Sequence, residues 1–156
     1  MGREIERKFL VTGDGWREQA TGPSHIVQGY LHVEDDAEIR VRIRDDEAVL
    51  TVKRGGARID RMEVEVPLER SSAQTLLDEA VVGLLVTKQR FQVPVGDGLV
   101  AEVDVFAPPH DGLVLAEVEL PDVEAELPEL AWIGTEVTGD RRYYNSTLAS
   151  RADDRG

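Results

Sequence analysis

The sequence predicts a mainly β domain of the α+β class: a closed eight-stranded antiparallel β-barrel with two or three flanking helices. Three observations carry that expectation. Charged and apolar residues alternate with period two along much of the chain, most clearly in Glu38-Ile39-Arg40-Val41-Arg42-Ile43-Arg44, and such alternation sorts the two kinds onto opposite faces of a strand. Clusters of Gly, Asp and Pro punctuate these runs at short intervals, as turns between antiparallel neighbours require. Apolar residues make up 41% of the 156, enough for a core and too many for wholesale disorder.

The first strand opens with Glu4, Glu6 and Lys8 alternating with Ile5 and Phe9. Ile26–Val33 follows, with Gln28, Tyr30 and His32 on one side. After the acidic turn Glu34-Asp35-Asp36, Glu38, Arg40, Arg42 and Arg44 interleave with Ile39, Val41 and Ile43. Asp45-Asp46-Glu47 turns the chain into Ala48–Arg54, which ends at a Gly55-Gly56 hairpin. Arg58–Val66 is the fifth strand, with Arg61, Glu63 and Glu65 sharing a face; it stops at Pro67, whose nitrogen cannot donate to a ladder. Ser71 or Ser72 caps a helix reaching about Val82, with Leu76, Leu77 and Ala80 toward the core and Gly83 as its stop. Strands resume at Leu85–Val93, Leu99–Phe106 and Leu113–Leu120, joined by Gly96-Asp97-Gly98 and by Pro108-Pro109-His110-Asp111-Gly112. Val123–Ile133 reads as a short helix interrupted by Pro128. Asp140–Arg151 reads as a C-terminal helix, followed by a frayed polar tail, Ala152–Gly156. Residues 1–150 thus read as one domain.

Composition removes several function classes. There are 31 acidic and 18 basic residues, a formal charge of −13, whereas a protein that coats DNA or RNA needs surplus Lys and Arg. The absence of cysteine excludes disulfides, iron–sulfur clusters and thiolate metal sites. No apolar run approaches the ~20 residues of a membrane span, and Met1–Lys8 is charged where a secretion signal is apolar. A soluble cytoplasmic protein with no long nucleic acid and no membrane among its partners is the expectation. Oligomeric state is not readable.

The arrangement of charge is unusual for a barrel. Nearly every strand offers a charged row opposite a Val, Ile and Leu row. Because the helices must cover apolar sheet surface, some charged rows are expected to point into the barrel. Such a lining is costly unless it is wet or occupied by charged ligands. In Glu4-Ile5-Glu6-Arg7-Lys8, residues two apart lie on one face about 7 Å from each other, so two carboxylates and an ammonium group can hold a hard divalent cation and one end of an anion. Glu117-Val118-Glu119 repeats the spacing, and strands facing each other across a barrel would bring four carboxylates together. Oxygen-only ligands favour Mg²⁺ or Mn²⁺ over Zn²⁺. The alternative is a solvated strand face paired with cations. Arg40, Arg42, Lys53, Arg61, Lys88 and Arg90 also sit on strands, where Arg forks and Lys point charges suit phosphate oxygens. Their alternative is cross-strand pairing with Glu63, Glu65 and Glu102. The three histidines lack metal-ligand spacing, and no Walker loop, dinucleotide fingerprint or nucleophile elbow is present.

Taken in order, these motifs resemble the CYTH superfamily, the triphosphate tunnel metalloenzymes. Glu4-Ile5-Glu6-Arg7-Lys8 is similar to the E-x-E-x-K opening. The likeness runs through Gln28-Gly29-Tyr30-Leu31, Arg40-Val41-Arg42, Leu50-Thr51-Val52-Lys53, Arg61-Met62-Glu63-Val64-Glu65 and Lys88-Gln89-Arg90. It continues through Glu102-Val103-Asp104, Ala116-Glu117-Val118-Glu119 and Gly134–Thr138 to Arg142-Tyr143-Tyr144-Asn145. The resemblance implies a barrel forming a triphosphate tunnel and a Mg²⁺- or Mn²⁺-dependent hydrolase. Small bacterial members that open this way are similar to inorganic triphosphatases, which convert tripolyphosphate to pyrophosphate and phosphate. On this sequence it implies that Glu4, Glu6, Glu117 and Glu119 ligate metal. Arg40, Arg42, Lys53, Arg61, Lys88 and Arg90 would hold the phosphate chain. Lys8 would touch phosphate or orient the attacking water, and with Glu4 and Glu6 it forms the expected catalytic set. Glu63, Glu65, Glu102 and Asp104 are the expected supporting residues, and Arg142 reaches in from the last helix. The same scaffold also carries thiamine triphosphatases and class IV adenylyl cyclases, and a non-catalytic polyphosphate- or nucleotide-binding module is the non-enzymatic alternative.

Overall fold

The structure is a computed structural model that describes residues 5–55, 62–122 and 124–150. Among the described residues, nine strands form one antiparallel sheet: β1 (Ile5–Val11), β2 (Thr21–Val33), β3 (Ala37–Arg44), β4 (Glu47–Arg54), β5 (Met62–Leu68), β6 (Val82–Gly96), β7 (Leu99–Phe106), β8 (Val114–Leu120) and β9 (Ile133–Glu136). Their hydrogen-bonded order is β5-β4-β3-β2-β6-β7-β8-β1-β9. The closed eight-stranded barrel is therefore overturned. The sheet ends at β5 and β9, and among the described residues no ladder joins those ends. The ninth strand explains part of the difference. It pairs with β1 at Phe9↔Glu136 and Val11↔Ile133, taking the edge of β1 that β8 leaves open.

The chain divides into two compact units: residues 1–24 with 88–140, and residues 25–87 with 141–156. In the first, the apolar faces of β6, β7 and β8 supply Val93, Val95, Ala101, Val103, Ala116, Val118 and Leu120 to one core. Trp16, in a 3-10 turn over Gly15–Gln19, and Trp132 complete it. The expected helix over Val123–Ile133 does not form, and no helix occurs between residues 124 and 132. Pro128 removes a donor and disfavours helical geometry at its predecessor, while Leu127, Leu130 and Trp132 still reach the core from irregular chain. Arg7 of β1 pairs with Glu136 of β9 at 2.6 Å, and Thr138 Oγ1 donates to the same carboxylate at 2.7 Å. Those hydrogen bonds hold the Glu136 carboxyl down at about 2.

In the second unit, α1 (Arg70–Glu79) covers the apolar faces of β3 and β4. Ala73 and Leu77, one turn apart, pack with Val41, Ile43 and Ala48. The helix begins before the expected serine caps, with Glu69 at the N-cap and no side-chain cap bond. It also ends before Gly83, which lies instead in β6. The fifth strand runs through Pro67 to Leu68; as the last strand on its side it has no outer partner for the missing donor to disturb. The long C-terminal helix is reduced to a 3-10 turn over Arg141–Tyr143 and a single turn, α2 (Asn145–Leu148).

Gly83 has φ +77°, and a Cβ there would run into the Ala149 carbonyl oxygen. The neighbouring Leu84 N–H donates to that same carbonyl. Gly83→Ala is therefore expected to cost upward of about 1 kcal/mol through the left-handed backbone alone, with the clash added, and a urea titration measures it. No helix among the described residues is long and apolar enough to cross a membrane.

Candidate active site

The first unit gathers its charges on the sheet face opposite the core. Directly opposed residues of antiparallel strands share a face, so the register reads off the site. One row across four strands is Gln92, Glu102, Glu117 and Lys8. Glu6 opposes Glu119 in the next row, and Arg90 opposes Asp104 in the row on the other side. The two carboxylate motifs are thus adjacent strands in register, and their expected meeting across a barrel is replaced by side-by-side pairing. Glu6/Glu119 and Glu102/Glu117 are like-charged opposed pairs, an arrangement that destabilises a sheet by itself. A cavity of about 250 Å³ is lined by Glu6, Gln92, Val100, Glu102, Glu117 and Glu119. It is smaller than the roughly 300–1,000 Å³ of pockets for drug-sized ligands, and carboxylates dominate its wall.

Cations brace the same face. Lys8 Nζ lies 3.2 Å from Glu117 Oε1. The Lys8 backbone is gripped from its other side: its N–H donates to Thr138 Oγ1 at 2.9 Å and its carbonyl accepts from Val137 N–H at 2.8 Å. Arg90 makes a two-pronged contact with Asp104, Nε to Oδ1 at 2.8 Å and Nη2 to Oδ2 at 2.9 Å. Its Nη1 stands 3.4 Å from Glu102. Lys88 Nζ, fully buried, reaches Asp104 Oδ2 at 2.9 Å and lies 5.4 Å from the centre of the Phe106 ring. Burial pushes the Asp104 carboxyl up, but Lys88 and Arg90 outweigh it and hold the group at about 2. Burial likewise lowers the Arg90 pKa, and Asp104 more than reverses this. Arg90 stays charged in this low-dielectric setting because the Asp104 carboxylate lies against it.

The second unit carries a basic face of its own. Tyr30, Arg40, Thr51 and Glu65 form one row, Gln28, Arg42 and Val49 the next, and Glu38, Lys53 and Glu63 a third. Arg40 is only 9% exposed, and its Nε has no hydrogen-bond partner among the described residues. A buried donor without an acceptor is costly. Tyr30 beside it is buried too; burial raises its hydroxyl pKa to about 12 against the opposing pull of the Arg40 charge. Arg42 Nε donates to Gln28 Oε1 at 3.0 Å, and Gln28 Nε2 donates to Asn145 Oδ1 at 3.0 Å. Arg142 lies in the C-terminal 3-10 turn with its guanidinium 5.5 Å from the centre of the Tyr143 ring.

Of the residues expected from sequence, Glu4 and Arg61 lie outside the described residues. Lys8, Glu6, Glu117, Glu119, Glu102, Asp104, Lys88 and Arg90 share the face of the first unit. Arg40, Arg42, Lys53, Glu63 and Glu65 share that of the second. Among the described residues no three acidic or histidine side chains converge closely enough to hold an ion together. Sequence reasoning passed over Gln92, although it stands two residues beyond Arg90 on the same strand, and over the Gln28–Asn145 link, which no local spacing signals.

An antiparallel sheet whose units reserve one face for sorted carboxylates and cations is the architecture of a domain for a small, highly charged ligand. Residues 2–147 match the CYTH domain, and the chain belongs to that family. It is 40% identical over 148 residues to the inorganic triphosphatase of Acetivibrio thermocellus, covering 95% of this chain and 94% of the relative. It is 37% identical over 155 residues to the inorganic triphosphatase of Nitrosomonas europaea, covering 94% and 96%. Among solved structures, a crystal structure of an inorganic triphosphatase superposes with a TM-score of 0.72 at 35% identity, over 96% of this chain and 95% of that one.

Proposed function

We propose that this chain is a metal-dependent inorganic triphosphatase, acting in the cytoplasm to split tripolyphosphate into pyrophosphate and phosphate. The observation that carries the reading is the two opposed carboxylate pairs, Glu6/Glu119 and Glu102/Glu117, around one small cavity. Like charges set against each other are stabilised by a cation between them. The all-oxygen donor set fits Mg²⁺ or Mn²⁺; Glu6, Glu117 and Glu119, which do not converge on an ion in this structure, would draw in around the metal with Glu4 when it binds. When bound, a divalent cation would neutralise phosphate oxygens and so lower the cost of charge moving onto the leaving group.

The remaining work is positioning. Arg40 Nε, buried and lacking an acceptor, would take a phosphate oxygen. Arg42, Lys53, Arg61, Arg90 and Arg142 would hold further oxygens of the chain, and Lys88 would add fixed positive potential from beneath. Lys8, fixed through both its backbone groups and its ammonium, would orient a water for in-line attack on the terminal phosphorus, with pyrophosphate departing on the opposite side. Glu63, Glu65, Glu102 and Asp104 orient these cations. The high identity to two inorganic triphosphatases across nearly the whole chain supports this substrate over nucleotides.

Phosphate release from tripolyphosphate, thiamine triphosphate, ATP and pyrophosphate, each with Mg²⁺, Mn²⁺ or chelator, tests the reading. Tripolyphosphate turnover that disappears with chelator is the expected result. Cyclic AMP from ATP, or no turnover by folded, metal-supplied protein, would overturn it.

A further inference from the structure

Gln28 is wholly buried, and its amide is engaged at both ends. The direction of the chain of bonds is fixed by chemistry. A guanidinium can only donate, so Gln28 must turn its oxygen toward Arg42, and its NH₂ then requires an acceptor on the other side. Asn145 Oδ1 supplies that acceptor at 3.0 Å. Asn145 opens α2, and the far end of this turn is tied to β6 through the bond from Leu84 N–H to the Ala149 carbonyl. The C-terminal turn is therefore anchored to the sheet of its own unit, and its first side chain decides how a buried amide presents itself to Arg42.

We propose that Asn145 is a positioning residue that acts through Gln28 to hold the Arg42 guanidinium in its phosphate-binding orientation. This rests on the reading of Arg42 as a phosphate-holding residue. An arginine fork held in advance gives up less rotamer freedom when it engages an anion. Without the acceptor, the Gln28 NH₂ is left buried and unsatisfied, and the amide must rotate away from Arg42 to relieve it.

The experiment measures KM and kcat on tripolyphosphate with Mg²⁺ for Asn145→Ala, Asn145→Asp, Arg42→Ala and the Asn145→Ala/Arg42→Ala double variant. Asn145→Ala is expected to raise KM by about tenfold while kcat stays within about twofold, the pattern of lost ground-state binding. Asn145→Asp keeps an acceptor oxygen and should recover most of that loss. In the Arg42→Ala background, Asn145→Ala should add nothing, because the group it positions is gone. Equal effects of Asn145→Ala in both backgrounds, or an Asn145→Asp protein as impaired as Asn145→Ala, would overturn the proposal. If Arg42→Ala itself leaves KM unchanged, the role of Arg42 fails, and the proposal with it. Should Asn145→Ala unfold at the assay temperature, Asn145→Leu, which keeps the side-chain volume without the acceptor, makes the same comparison.

Discussion

Replacing Glu119 by glutamine is expected to lower tripolyphosphate turnover at least about a hundredfold while making the metal-free protein more resistant to heat. The two effects have one origin. Glu119 stands directly opposite Glu6 in the β1/β8 ladder, and removing one of two opposed like charges is worth roughly 0.2–1 kcal/mol. For a chain of this size that is a rise of about 1–3 °C in Tm. A merely structural carboxylate would show the reverse pattern, with lower stability and intact turnover. Calorimetry in chelator beside a phosphate-release assay separates them, and a fall in Tm with unchanged turnover would rule out the proposed metal-holding role of Glu119.

The largest loss of stability is expected at Asp104. Asp104→Asn leaves Lys88 and Arg90 facing a neutral amide in a buried setting, and stripping one partner from buried ions costs about 3–5 kcal/mol. Urea unfolding at neutral pH measures this, and a loss below about 1 kcal/mol would mean that water reaches the cluster. The pH dependence follows from the same carboxyl. Its pKa falls from an ordinary 3.8 to about 2 on folding, so the stabilisation is complete above 3.8 and disappears as pH drops through about 2. At about 1.4 kcal/mol per unit this amounts to about 2 kcal/mol. The wild-type protein should therefore lose stability between about pH 4 and pH 2, more steeply than Asp104→Asn.

Which residues of the candidate site share a face was legible because strands write their two faces as odd and even positions. Arg40 and Arg42, Lys88 and Arg90, and Glu117 and Glu119 each share a face with neighbours that the register brings alongside. Which strands stand side by side was not legible. The alternation in β1 and β8 is equally consistent with pairing or with facing across a barrel, and only the ladder decides. The ninth strand escaped because Ile133-Gly134-Thr135-Glu136 is four residues long, too short for periodicity to speak. The expected helix before it shows the opposite error: Leu127 and Leu130 have helical spacing, but Pro128 breaks the backbone, and the two side chains reach the core from irregular chain. The lost length of the C-terminal helix has a similar root, since a single turn held by Gln28 and Ala149 contacts needs little intrinsic propensity.

Among the described residues β5 has no outer neighbour in the sheet, and that edge bears on how copies of the protein meet. β5 leaves Met62, Val64 and Val66 exposed along one side, an edge that invites another strand to add. Glu63 and Glu65 alternate with them, and Pro67 lacks the N–H that an added strand would need near its end. Two copies meeting at this edge would bring their glutamates close together, and repulsion between them would oppose association. Salt weakens that barrier, since the screening length shrinks from about 10 Å at 0.1 M to about 3 Å at 1 M. Sulfate salts screen charge and strengthen apolar association together, so light scattering of the protein in rising ammonium sulfate is expected to climb sooner for Glu63→Gln/Glu65→Gln than for wild type.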